Sequence, residues 1–355
     1  MEEIQHRTVE ANGINIHIAE KGQGPIILFL HGFPELWYSW RHQIHALASL
    51  GYRAVAPDLR GFGDTDAPAD GTSYTSLHVV GDIIGVLDAI GADRVFVVGH
   101  DWGAVMAWYL CLYRPDRVKA LVNMSVPFSP RNPMRKPLES LRAQLGDDYY
   151  ICRFQEPGVI ETEFAEIGVD RVLKHFLTYR NPAPLFLPKG NAFGDDPATP
   201  IVLPSWLSEE EVHYYTTKYQ KTGFTGGLNY YRSLNRTIEP ELLVWLRIVL
   251  FCNLLHELIG GLSIRHSSFI PYGRNWELTA PFTGYQSKVP TKFIVGDHDM
   301  TYHAPGSKDF IHGGGLKKYV PLLEDVIVME GVGHFIHEEK SDEINKHIYD
   351  FFQQF

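Results

Sequence analysis

The sequence predicts an α/β chain: a mostly parallel central sheet flanked by helices, with a helical cap inserted between two of its strands. Three observations carry this expectation. Short β-rich apolar runs alternate with helical stretches through the first third of the chain, the alternation returns near the C-terminal end, and the segment between is helix-like and rich in proline and tyrosine. Such alternation gives βαβ units, whose parallel sheet must be covered on both faces.

In chain order, strands are expected at 25–30, 53–57, 94–99 and 118–124, with helices between them at 40–50, 77–90 and 102–113. The pattern resumes with strands at 291–295 and 326–329 and an amphipathic helix at 341–352. The sheet is therefore expected to be built from both ends of the chain. Residues 1–125 and 290–355 are assigned to the core and 126–289, including a helix at 208–222, to the cap. A separate C-terminal domain is disfavoured, because the strands after 290 are too few to form their own sheet.

Composition narrows the function class. With 355 residues, 45% hydrophobic and 21% charged, the chain can hold one large core and a modest second unit. The net charge of -10 comes from scattered acids without a basic stripe, so nucleic acid is not an expected partner. Cys111, Cys152 and Cys252 lie far apart and lack metal-ligand spacing, which predicts neither disulfides nor zinc and fits a reducing compartment. Residues 1–13 are mixed in charge and poor in apolar residues, unlike a secretion signal, and Gln353-Gln354-Phe355 is not a peroxisomal address. A cytoplasmic location is the expectation.

The chemistry is concentrated at three strand ends. Val95 to Val98 run into Gly99-His100-Asp101-Trp102-Gly103 and then a helix, which is a nucleophile elbow with aspartate where serine usually stands. An aspartate here could be a mere helix N-cap, but two further features accompany it. His31-Gly32-Phe33-Pro34 follows the 25–30 strand, where the backbone N–H of Phe33, with that of Trp102, would form a two-donor oxyanion hole. Asp299, in Gly296-Asp297-His298-Asp299, and His334, in Gly331-Val332-Gly333-His334, each follow a strand. The chain order Asp101, Asp299, His334 is the nucleophile, acid, base order of the α/β-hydrolase fold.

These residues resemble the epoxide hydrolase branch of that family, most closely the plant-type soluble enzymes. The likeness runs over nearly the whole chain, through His31-Gly32-Phe33-Pro34-Glu35, Gly99 to Gly103, Phe224 to Arg232 and Asn275-Trp276-Glu277-Leu278-Thr279-Ala280-Pro281. The resemblance implies two cap tyrosines facing the nucleophile. By motif they fall on Tyr150, ahead of Arg153-Phe154-Gln155-Glu156-Pro157-Gly158, and on Tyr231 in Asn229-Tyr230-Tyr231-Arg232, with Tyr149 and Tyr230 as their neighbours. It further implies a small apolar epoxide and water as reactants, contacted by Tyr150, Tyr231, Trp102, Phe33 and Pro34, with no metal or organic cofactor.

Two other functions compete with that one. A haloalkane or haloacid dehalogenase would also use an aspartate nucleophile, but it needs donors for a departing halide, and Phe33 has no polar side chain to offer. A non-catalytic ligand-binding receptor on the same scaffold would not need Asp101, Asp299 and His334 intact. One departure from the family pattern stands out: residues 237–274 interrupt an Arg236-Asn275 junction that is otherwise continuous in the motif. The insert's apolar run, 242–255, is short of the roughly 20 residues that span a bilayer. Membrane contact, if any, is expected only through this segment, whose expected origin is a retained intron or a gene-model error. Oligomeric state is not readable from the sequence.

Overall fold

A computed structural model of the protein describes residues 3–194, 196, 198–234 and 278–355. The 237–274 insertion, its apolar run and the Asn275-Trp276-Glu277 part of the family motif lie outside the described residues.

The described residues contain an eight-stranded sheet of order β1-β2-β4-β3-β5-β6-β7-β8. Its parallel part is β3 (Ile26–Leu30), β4 (Arg53–Pro57), β5 (Val95–His100), β6 (Val118–Met124), β7 (Thr291–Gly296) and β8 (Leu323–Met329). An antiparallel hairpin, β1 (Gln5–Ala11) and β2 (Ile14–Lys21), extends the edge through β2 and β4. Sequence reasoning does not anticipate this hairpin. In β1 only Val9 and Ala11 are buried, so the strand carries almost no hydrophobic alternation. The available signal was the turn: Asn12 and Gly13 both take positive φ, 51° and 79°, as a two-residue hairpin loop requires.

Successive strand residues serve opposite faces. Ile27 and Phe29 join Phe96, Val98 and Val122 in one apolar cluster, which α1 (Arg41–Ser49) covers with Ile44 and Leu47 and the C-terminal helix Ser341–Phe352 covers with Ile344, Ile348 and Phe351. Leu28 and Leu30 face the other way with Val95 and Val97, under α2 (Ser76–Ala89) and α3 (Trp102–Tyr113). This second core runs on without a break into the cap through Phe154, Phe176, Tyr215 and Leu228.

The cap lies between β6 and β7. It includes α4 (Pro137–Leu145), α5 (Tyr150–Arg153), α6 (Val159–Ile167), α7 (Val169–Leu177), α8 (Glu209–Thr222) and α9 (Thr225–Arg232). Ser208 starts α8 with a reciprocal capping box: its hydroxyl accepts from Glu211 N–H while Glu211 accepts from Ser208 N–H. Polar struts fix cap to core. Arg41 donates to Glu211 of α8 and, through Nη1, to buried Glu338 at 2.7 Å, and the Trp37 indole donates to the Tyr214 hydroxyl at 2.8 Å. Among the described residues no helix is long and apolar enough to cross a membrane.

Candidate active site

The elbow is forced by close packing. Asp101 sits at φ 51°, ψ -121°, a conformation that costs a non-glycine residue free energy and recurs at functional turns. Helix α3 begins at the next residue, so Trp102 N–H is one of the amides without an intrahelical acceptor. A Cβ on Gly103 would lie 2.0 Å from the Leu30 carbonyl, and one on Gly32 would lie 2.2 Å from Asp101 Oδ1. A side chain at Gly32 would have to displace Asp101, and one at Gly103 the end of β3.

Asp101 presents its two oxygens to different partners. Phe33 N–H donates to Oδ1 at 2.7 Å, from the loop whose Phe33-Pro34 peptide is cis. Oδ2 lies 3.6 Å from His334 Nε2. His334 Nδ1 lies 3.0 Å from Asp299 Oδ1, which also accepts from Thr301 N–H at 2.8 Å and the Thr301 hydroxyl at 2.9 Å. The three residues proposed from the sequence are therefore in one line, each at the end of a parallel strand.

The electrostatics follow from this order. Burial alone would raise the Asp299 carboxyl, but the adjacent His334 and the Thr301 amide outweigh it and hold it at about 2. Burial alone would lower His334, yet Asp299 and then Asp101 keep it well above the usual histidine range.

Above the carboxylate stand the two tyrosines. Tyr150, at the start of α5, and Tyr231, in α9, have ring centroids 5.8 Å apart and line the same cavity as Asp101. Their elements are stitched together: Gln155 Nε2 donates to the Tyr231 carbonyl at 3.2 Å, and Arg232 Nε donates to the Phe154 carbonyl at 2.9 Å. Burial first, and Tyr149 with Asp101 after it, push Tyr150 well above 10; burial and then the Asp101 charge do the same for Tyr231. Both phenols hold their protons at neutral pH. The Trp102 ring lies edge-on to that of Tyr231, with centroids 5.0 Å apart.

The sequence neighbours divide. Tyr230 is turned away, fully buried, with its hydroxyl donating to the Arg60 carbonyl at 3.0 Å. Tyr149 lines the large cavity but not the smaller one that contains His334, whereas Tyr150 and Tyr231 line both. Trp102 lines the large cavity, and Phe33 and Pro34 the smaller.

Comparison with known proteins places the chain in a family. A family model described as alpha/beta hydrolase fold matches residues 25–341. The chain is 56% identical to "Epoxide hydrolase 1" of Siraitia grosvenorii, with all of both chains covered. The chain belongs to the epoxide hydrolase family. Among solved structures, potato (Solanum tuberosum) epoxide hydrolase I matches with TM-score 0.85 and 54% identity, over 99% of this chain and 100% of that one. An epoxide hydrolase of Vigna radiata matches with TM-score 0.86 and 52% identity over the whole of both.

In this epoxide hydrolase Asp101 and His334 are also supported by residues the sequence reading gave no role. Glu35 accepts from Gly32 N–H at 2.9 Å and pairs with His100 Nδ1 at 2.7 Å, while His100 Nε2–H donates to the His334 carbonyl at 2.8 Å. One buried chain of contacts thus ties the Phe33 loop to the His334 loop. Ser125, at φ 67°, contributes from the end of β6: its hydroxyl donates to the His334 carbonyl at 3.2 Å and its carbonyl accepts from Thr301. The sequence signal for Glu35 and His100 is slight, a charged residue that closes the His31-Gly32-Phe33-Pro34-Glu35 run and a histidine beside Gly99 in an otherwise apolar strand end.

Proposed function

We propose that this epoxide hydrolase converts epoxides to vicinal diols in two steps, with Asp101 as nucleophile, His334 as base, Asp299 as its orienting acid, and Tyr150 and Tyr231 as proton donors. A carboxylate is ionised at neutral pH and needs no base to attack. Asp101 Oδ2 forms a bond to one epoxide carbon, the C–O bond of the ring breaks, and the alkoxide takes a proton from a phenol. Water then attacks Cγ of the resulting ester and gives its proton to His334. The carbonyl charge rests on Oδ1, where Phe33 N–H already donates, with Trp102 N–H as the second donor. Collapse of this adduct expels an alkoxide that takes the proton from His334 and leaves as the diol, and the proton left on the Asp101 carboxyl makes good the one the phenol gave, which regenerates the carboxylate and both phenols. No step calls for a metal or organic cofactor. We also propose the cytoplasm as the compartment, in keeping with the buried, unbridged Cys111 and Cys152.

The observation that carries this reading is the placement of two phenols in one cavity with a carboxylate whose other oxygen is already held by a backbone N–H. Halide release would need donors beside the leaving group, and Phe33 beside Asp101 has no polar side chain to supply one. The test is a panel of a small aryl epoxide, an epoxy fatty acid, a terpenoid epoxide and a haloalkane, scored for diol and for free halide. Diol from one or more epoxides without halide is the expected result. Halide without diol would make the chain a dehalogenase, and binding without either product would make it a receptor.

A further inference from the structure

We infer that Arg180, a cap residue outside the walls of the substrate cavity, positions the loop that carries His334 and so sets the rate of ester hydrolysis without touching substrate. The inference rests on the two-step reading above and adds to it a link between the cap and the base. Residues 330–335 connect β8 to the short helix Ile336–Glu339. The core holds this loop from one side: Val332 N–H donates to Asp297 Oδ1 at 3.2 Å, the Val332 carbonyl accepts from His298 N–H at 2.9 Å, and the His334 carbonyl accepts from His100 and Ser125. The cap holds it from the other. Arg180, just past the end of α7 at Leu177, donates through Nη2 to the Gly331 carbonyl at 2.6 Å and through Nη1 to Glu339 Oε2, and that same oxygen accepts from Gly333 N–H at 3.1 Å. The bridge therefore grips the two peptides that flank Val332.

The Glu339 side chain is only 4% exposed, so its charge relies on the guanidinium and the Gly333 amide more than on water. The fit is close as well: a Cβ on Gly333 would lie 2.7 Å from Glu339 Oε1 and 3.3 Å from Arg180 Cγ, so the bridge packs directly on the backbone beside the base. Tyr179, the residue before Arg180, lines a cavity with Asp101 and His334, whereas neither Arg180 nor Glu339 lines that cavity or the larger one. Whatever the pair does for the reaction it must therefore do through the loop. His334 Nε2 lies 3.6 Å from Asp101 Oδ2, and the base can take a proton only from a water held in line with the ester carbon. Freeing one side of the loop would loosen that placement. Ring opening draws instead on the elbow at α3 and on phenols carried by α5 and α9, none of which the bridge touches. Its loss should fall on the second step alone.

The test uses the purified full chain, an epoxide from the panel that the wild type turns over, and the variants Arg180→Gln, Glu339→Ala and both together. Rapid-quench single turnovers read by intact-protein mass spectrometry give ring opening as the rise of the Asp101 ester and hydrolysis as its decay. In each single variant ester decay should slow by about tenfold or more while ring opening stays within about twofold of the wild type, because small misplacements of a reacting group are costly. One bridge is broken in all three, so the double variant should be slower than Arg180→Gln by no more than about twofold. Arg180→Lys keeps the charge but not the fork that reaches two acceptors, and should recover only part of the loss. Should Glu339→Ala fail to fold, the two variants at half-buried Arg180 carry the test. Both steps unchanged, or both slowed alike, overturns the positioning role and leaves the hydrolase reading standing. No diol from the wild type with any epoxide of the panel overturns that reading and this inference with it.

Discussion

Replacing the two phenols by phenyl rings isolates the proton-donating step from everything else the cap does. In Tyr150→Phe the ring keeps its contacts with Phe154 and Tyr231, at centroid distances of 5.6 and 5.8 Å, and in Tyr231→Phe the ring keeps Trp102 and Phe154 at 5.0 and 4.9 Å. The fold and pocket shape should therefore survive, and the loss should fall on the transition state. A donor aimed at developing charge is worth about 3 kcal/mol, so either single variant should slow ring opening by roughly a hundredfold. The double variant leaves a full alkoxide charge in an apolar pocket with no phenol to protonate it, and ring opening should nearly cease. Single-turnover stopped flow on tryptophan fluorescence suits the measurement, since Trp102 touches the reacting residues. Melting temperatures should stay near that of the wild type. A double variant that forms the ester at the wild-type rate would return both tyrosines to a packing role and refute the assignment.

His334→Gln should open the epoxide but fail to release the diol, leaving a mass increment on Asp101 in the intact protein; turnover by the wild type with no adduct in the variant would contradict the division of labour. Asp299 gives a stability prediction with a definite sign. Its folded value of about 2 lies below the reference 3.8, so its contribution is present above pH 4 and is lost as pH falls toward 2. The stability gap between wild type and Asp299→Asn should be about 2 kcal/mol at pH 6 and close by pH 2, and a gap independent of pH would remove the ion pair as its cause. Excision of 237–274 should leave the protein at least as soluble and active as the full chain. Leu234 and Thr279, on either side, line the same cavity. Collapse of folding or activity on excision would make the segment a genuine cap element.

What the sequence disclosed and what it withheld divide along the range of the interaction. Strands β4 and β6 and helix α3 begin and end where the pattern of apolar residues, turns and charges puts them, because each is buried enough for its own alternation to be written locally. Strand β1 was invisible for the opposite reason, being an edge strand whose register is set by its partner. At the site, Asp101 is legible because the elbow is a contiguous motif, and Asp299 and His334 because each follows a strand. Tyr150 and Tyr231 are two among 18 tyrosines, and only the family resemblance singles them out. Glu35, His100, Ser125 and Thr301 went unassigned because their meaning lies in partners 65 to 234 residues away. No local pattern encodes such a contact.

The arrangement also explains how one site performs nucleophilic attack and then base catalysis without the two interfering. While Asp101 is ionised, its charge supports the proton on His334 and, after burial, helps hold Tyr150 and Tyr231 above their usual range. The histidine is then a cation that cannot act as a base, and the phenols are intact donors. Ester formation removes the Asp101 charge. Coulomb support for the His334 proton is lost at the side facing Asp101, while the Asp299 contact at 3.0 Å continues to hold the ring. The same event makes the phenols more acidic at the moment an alkoxide beside them needs a proton. The order of the steps is therefore tied to the charge of a single carboxylate: ester formation weakens the hold on the His334 proton, which passes to the phenolate left by ring opening and frees the histidine as a base, and hydrolysis of the ester restores the negative charge beside it.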